Sequence, residues 1–340
     1  MINIPYRTRR NLKRAGLIAL VVFVCASLIY LCWFLWLGRY VIYTRDNGAQ
    51  IDQSQDPQVQ EGNIAQKPES ETVSIYYNEG ENAINTSREL TQIIGYYADK
   101  AALEDLAGLQ EIVKNLPTGS PVMMDVKDGK GRFFYTSGLS GDHPSGLDIA
   151  GIDELIKQLD KKGMYLIARL PAFRDYAFGL SNTSNGLHVA SGGYLWADDD
   201  YCYWLDPTKQ GTITHLIDIV TELKALGFDE VVFDNFCFPD TQDLNFSGDQ
   251  TEALNTAAKT LLTSCATGNF ALSFINNQEG FQLPQGRSRL YMTDVAAAQA
   301  AAVAASSGVT DPLINLVFLT EVHDTRFDAY SVLRPIQSAG

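Results

Sequence analysis

The chain is poor in the features that mark most ligand-binding classes. It has 340 residues but only five cysteines. None is spaced C-x-x-C, and no His pair lies nearby, which excludes a disulfide scaffold and a structural zinc site. Cys25 and Cys32 fall in an apolar run, leaving an odd set of Cys202, Cys237 and Cys265. No G-x-G-x-x-G follows the first candidate strand and no G-x-x-x-x-G-K-[ST] occurs, so neither nucleotide fingerprint is present. No Ser-centred G-x-S-x-G elbow is found, which disfavours Ser-nucleophile hydrolysis. His188, His215 and His323 lack metal-ligand spacing. No metal and no cofactor are expected. Basic residues are scarce where nucleic acid would need them. Seven lie in residues 1–45, which hold no carboxylate, and the rest of the chain carries 19 Lys and Arg against 40 Asp and Glu. A body that acidic cannot cluster the cations that phosphates require, so no nucleic-acid partner is expected.

What the chain does have begins with a long apolar run. Residues 15–37, AGLIALVVFVCASLIYLCWFLWL, carry no charge over 23 residues, enough to span a bilayer. Trp33, Trp36, Tyr40 and Tyr43 gather at its end as an interfacial belt. Five basic residues precede the run. The positive-inside rule then predicts a single-pass protein of the cell membrane, with a basic cytoplasmic tail (1–14), a transmembrane helix (15–37) and the remainder extracytoplasmic. Residues 46–91 hold nine carboxylates and two basic residues. With little apolar periodicity, the segment 38–91 is expected to be an acidic flexible stalk.

From about Gln92 the pattern changes to short apolar runs separated by helical stretches. Strands are predicted at IIGYY (93–97), PVMMDV (121–126), MYLIAR (164–169), DEVVFD (229–234), FALSFI (270–275), RLYMTD (289–294) and INLVFL (314–319). Between them, residues 212–227 place Ile213, Leu216, Ile217, Val220, Leu223 and Leu226 on one helical face. Nearly all-apolar strands alternating with helices imply a parallel sheet covered on both faces. Residues 92–340 match the roughly 250 of a (β/α)₈ TIM-like barrel. The eighth strand would have to come from around Tyr330–Leu333, so a barrel degenerate at its C-terminal end is allowed for. An open doubly wound sheet is the runner-up.

In such a barrel, functional residues stand at the C-terminal ends of strands. Asp125 and Lys127 close the second strand, Arg169 the third, with Asp175 beyond it. Asp234 and Asn235 close the fourth. Glu279 follows the fifth, Asp294 ends the sixth and could cap the following helix, and Glu321 follows the seventh. Asp234, directly after an apolar strand, is the strongest catalytic candidate. Its carboxylate partner is open between Glu321, Glu279 and Asp125. Tyr194, Trp196, Tyr201, Tyr203 and Trp204 fall within eleven residues. Rings beside Asp and Asn suit a stacking ligand such as a sugar, with Trp196 and Trp204 the binding candidates.

Four segments, VMMDVKDGKG (122–131), GMYLIARLPAFRD (163–175), WLDP (204–207) and LGFDEVVFDNFCFP (226–239), occur in that order. Together they resemble a family of bacterial glycoside hydrolases with a β/α-barrel fold, usually secreted or membrane-anchored. The resemblance covers roughly residues 92–240 and implies a site built from Asp125, Lys127, Arg169, Asp175, Asp206 and Asp234. Asn235 and Cys237 stand where that family has Tyr and Arg. The implied function is hydrolysis of a polysaccharide or oligosaccharide by carboxylate acid/base chemistry. The alternatives are a non-catalytic carbohydrate-binding barrel and a structural protein of the cell envelope.

Overall fold

The computed structural model describes residues 41–44, 48–51, 90–276, 278 and 280–336. The expected transmembrane helix, the cytoplasmic tail and Glu279 lie outside them. Among the described residues no helix is long and apolar enough to cross a membrane. Within the segment expected as stalk, Val41–Thr44 and Gly48–Ile51 pair as antiparallel strands. The β-branched and aromatic VIYT is a strand former that the polar composition of the surrounding stretch concealed.

From Leu90 onward the chain forms a closed barrel of eight parallel strands. They are β1 (Ile94–Ala98), β2 (Pro121–Asp125), β3 (Tyr165–Pro171), β4 (Glu230–Asp234), β5 (Ala271–Ile275), β6 (Leu290–Met292), β7 (Leu316–Leu319) and β8 (Ser331–Pro335). The eighth strand is present and pairs with both β7 and β1, Val332 lying opposite Phe318 and Ile94. The barrel is therefore complete, and neither the degenerate end nor the open sheet holds.

Side chains alternate across each strand. On β4, Val231 and Phe233 face outward into the main helix-covered core. Val232 faces inward with Met123, Ile167, Ile275, Tyr291, Val317 and Leu333, which fill the middle of the barrel. The same parity carries Glu230 to the lower mouth and Asp234 to the upper one.

The helices follow their apolar periodicity. The helix Gln210–Ala225 buries Ile213, Leu216, Ile219, Val220 and Leu223. Ile217 and Leu226, expected on that face, are only partly buried. Gly227 ends it at φ +99°, a conformation open to glycine. Asp99, Asp105, Asp148, Asp175 and Asp249 each cap a helix N-terminus through a backbone N–H, worth about 1 kcal/mol apiece. Five of the 40 acidic residues thus serve helix starts. The outer face of β1 carries Ile94 and Tyr96, 55% and 38% exposed. No helix follows β8 among the described residues to cover them.

Candidate active site

The upper rim holds an open cleft of about 530 Å³. Tyr97 from β1, Arg169 from β3 and Asp234 from β4 line it, with Asp294, Glu321, His323 and Asp324 from the loops after β6 and β7. Strand register places Asp125 beside Arg169, and Pro171 beside Asp234. The Arg169 Nε donates to Asp125 Oδ1 at 2.6 Å. Its guanidinium also lies 5.8 Å from the Tyr97 ring centroid.

Burial works against the Arg169 cation, but the Asp125 and Asp234 carboxylates outweigh it and raise its pKa further. Burial pushes the Asp125 carboxyl up, with Arg169 opposing the shift without cancelling it. Asp125 Oδ2 also accepts from the Lys100 backbone N–H at 3.2 Å. Asp234 is not locked to Arg169 by a hydrogen bond. Its Oδ1 accepts from the Asn235 backbone N–H at 2.6 Å. Tyr97 donates its hydroxyl to Glu321 Oε1 at 2.8 Å. Burial, then the Glu321 carboxylate, holds that hydroxyl well above its usual pKa, so it remains a donor.

A carboxylate on β4 and a second after β7 thus line one cleft, each accepting from a fixed donor. Residues 100–269, half of the chain, match a family described as "Putative glycosyl hydrolase domain". The chain belongs to that glycosyl hydrolase family. No curated protein matches it. Among solved structures, the α-galactosidase of Lactobacillus brevis is 10% identical, with a TM-score of 0.50 over 73% of this chain and 38% of that one. The glycoside hydrolase domain of PelA from Pseudomonas aeruginosa is 14% identical, with a TM-score of 0.42 over 73% of this chain and 95% of that domain. A hypothetical protein from Ruminiclostridium thermocellum is 22% identical, with a TM-score of 0.45, covering 53% of this chain and 96% of that one. At 10% identity the likeness to the α-galactosidase is one of fold.

The glycosyl hydrolase match contains Asp125, Lys127, Arg169, Asp175, Asp206 and Asp234, and it ends before Glu321. The structure does not bring all six to the cleft. Lys127 and Asp175 form a sealed ion pair at 2.8 Å. Asp175 also caps the helix Tyr176–Ser181 and meets His215 Nε2 at 3.1 Å. Burial alone would raise the Asp175 carboxyl; Lys127 and His215 reverse this and hold it well below the usual range. These two residues therefore brace the loop after β3, and neither lines the cleft. Asp206 accepts from the backbone N–H and hydroxyl of Thr208, a local turn. Trp204 is buried, its indole N–H donated to Asp198, and Trp196 packs edge-on against it. Trp204 is thus core, not a stacking platform.

Asn235 adopts φ +47°, a left-handed position in which Asn is favoured among non-glycine residues. The residue's backbone, not its amide, serves Asp234. Cys237 lines a second cavity of about 580 Å³ beyond β4, its thiol pushed up to about 11 by burial. Cys202, Cys237 and Cys265 are all free thiols. Asp294 caps no helix, since Ala296 starts the next turn; it holds φ +58° and lines the cleft. The residue missed by the motifs is Tyr97. Its signal was parity, two residues after Gly95 on the inward side of β1.

Proposed function

We propose that the chain is a membrane-anchored, extracytoplasmic glycoside hydrolase acting on a polysaccharide through Asp234 and Glu321. The observation that carries this reading is their shared cleft on the C-terminal rim, each with a fixed donor. Asp234, facing the Arg169 cation, is the carboxylate that steadies the oxocarbenium-like charge. Glu321, held through Oε1 by the Tyr97 hydroxyl, presents Oε2 to the bond as the second carboxyl group. Arg169 is shared between Asp125 and Asp234 and fixes the charge of that wall. The anchor is residues 15–37, with the basic tract holding the N-terminus inside.

The test is release of reducing ends by the full chain from a panel of soluble polysaccharides. Asp234→Asn should lower turnover at least about 10³-fold, roughly 4 kcal/mol of barrier, while polysaccharide binding and thermal unfolding stay close to unmodified values. Full activity in that variant removes Asp234 from the chemistry. Binding without turnover by the unmodified chain favours the carbohydrate-binding barrel. Protease added to intact cells should remove the barrel; protection there would end the extracytoplasmic assignment.

A further inference from the structure

The loop between β3 and the helix Gln210–Ala225 turns back on itself twice. Bridges His188 to Leu195 and Ala197 to Tyr203 close the two reversals. Tyr194 and Tyr201 sit on them, each 78% exposed. Tyr201 adopts φ +57°. A β-carbon is penalised there, and this kind of tight reversal ordinarily takes glycine at that place. The ring does not offset the strain by packing, since it stands in solvent.

The turn beneath Tyr201 is nonetheless held rigid. Asp198 accepts from the backbone N–H of Asp200 and of Cys202 and from the Trp204 indole. Arg174 grips Asp198 and Asp200 at 2.5 and 2.6 Å, and Lys130 donates to the Asp200 carbonyl. A strained, exposed aromatic on a braced support is a presented surface.

We propose that Tyr201, with Tyr194 on the neighbouring reversal of the same loop, is a sugar-stacking platform outside the catalytic cleft. Its ligand is a polysaccharide free of acidic groups. This rests on the glycoside hydrolase reading for the ligand class. The charge argument rests on the chain as a whole: Arg174 neutralises Asp198 and Asp200 in the turn, but 40 acidic residues against 26 basic ones leave the protein strongly negative, and an anionic polymer would be repelled. A flat ring with a polar edge suits the apolar face of a sugar and its hydroxyl rim.

The experiment is affinity electrophoresis of the full chain through laminarin, xylan and galactomannan, with alginate as the acidic arm. The variants are Tyr201→Gly, Tyr194→Ala and Asp234→Asn. For a neutral polymer that retains the unmodified chain, Tyr201→Gly should weaken retention roughly tenfold. The same variant should raise the Tm by roughly 2–4 °C, because glycine relieves the left-handed strain. Asp234→Asn should be retained as the unmodified chain is. Unchanged retention of Tyr201→Gly, or a fall in both retention and Tm, overturns the platform. So does retention by alginate alone or by no polymer. Reducing-end release with unchanged Tyr201→Gly retention would leave the hydrolase reading standing and remove only the platform.

Discussion

The two mouths of the barrel are built from the same three chemistries and differ in access to water. At the lower mouth Arg289 pairs with Glu230 at 2.5 Å, both sealed from solvent. Glu230 also accepts from Tyr165, Ser273 and Tyr291, and Arg289 donates to the Thr91 carbonyl. Burial and the Glu230 carboxylate hold the Tyr165 and Tyr291 hydroxyls far above their usual pKa, so both remain donors. At the upper mouth the arginine is Arg169, the carboxylate Asp125 and the tyrosine Tyr97, but the wall opens and two further carboxylates, Asp234 and Glu321, face the opening. A closed set with each carboxylate oxygen engaged stabilises; an open set with carboxylates to spare can exchange protons with a ligand.

The sharpest way to break this contrast is Glu230→Ala. It strands the Arg289 cation without a partner and should cost about 3–5 kcal/mol, read by denaturant unfolding. Asp234→Asn at the other end should change stability by less than about 1 kcal/mol. Equal costs at both ends would mean that the upper carboxylate is structural too.

Next in size is Asp175→Asn, which leaves Lys127 facing a neutral amide and should cost about 3 kcal/mol at pH 7. Because the folded state holds the Asp175 carboxyl below its usual range, an unfolded chain takes up the proton first on acidification. The stability that Asp175 provides is therefore full above pH of about 4 and drains away below it. Unfolding free energies of the two proteins should converge below that pH; a constant gap down to pH of about 2 would contradict the ion-pair role.

The paired tyrosines give a smaller and finer test. Tyr97→Phe should lower kcat about tenfold, roughly 1.4 kcal/mol, and shift the pH–rate profile, since Glu321 loses its donor. Tyr291→Phe should instead cost about 1–2 kcal/mol of stability and leave the profile in place. An exchange of these two outcomes would invert the assignment of the mouths. Smallest is the boundary effect. The Arg289 bond to the Thr91 carbonyl lies one residue ahead of the expected start at Gln92. A chain begun at Gln92 should be about 1 kcal/mol less stable than one begun at Glu81, measured by urea midpoints; identical midpoints would show the contact to be dispensable.

Strand positions were legible because a buried parallel strand is an unbroken apolar run with a polar end, as in EVVFD and LVFL. Asp125, Arg169, Asp234 and Glu321 could be placed on the rim because they stand at or just after strand ends. Lys127 misled for a physical reason. It shares the parity of Asp125, but the chain leaves β2 at Val126, pairs Lys127 with Phe133, and turns the ammonium toward Asp175 instead of the cleft. Trp204 misled because a hydrophobic ring in a long loop serves equally as that loop's own core, and sequence spacing cannot tell the two apart. Tyr97 was hidden because its partner is more than two hundred residues away.

The parity of β4 has a consequence for how this chain can change. Glu230 at its foot and Asp234 at its head lie on one inward row with Val232 between them. Inserting or deleting a single residue in that strand would turn one end inside out relative to the other, so the foundation and the reactive group would be lost in one event. Residues 235–249 lie outside any strand and are held at Phe236 and Phe238 in the core and at Asp249 by its helix cap. Between those anchors, residues 239–248 can lengthen or shorten while the strand beneath them stays fixed.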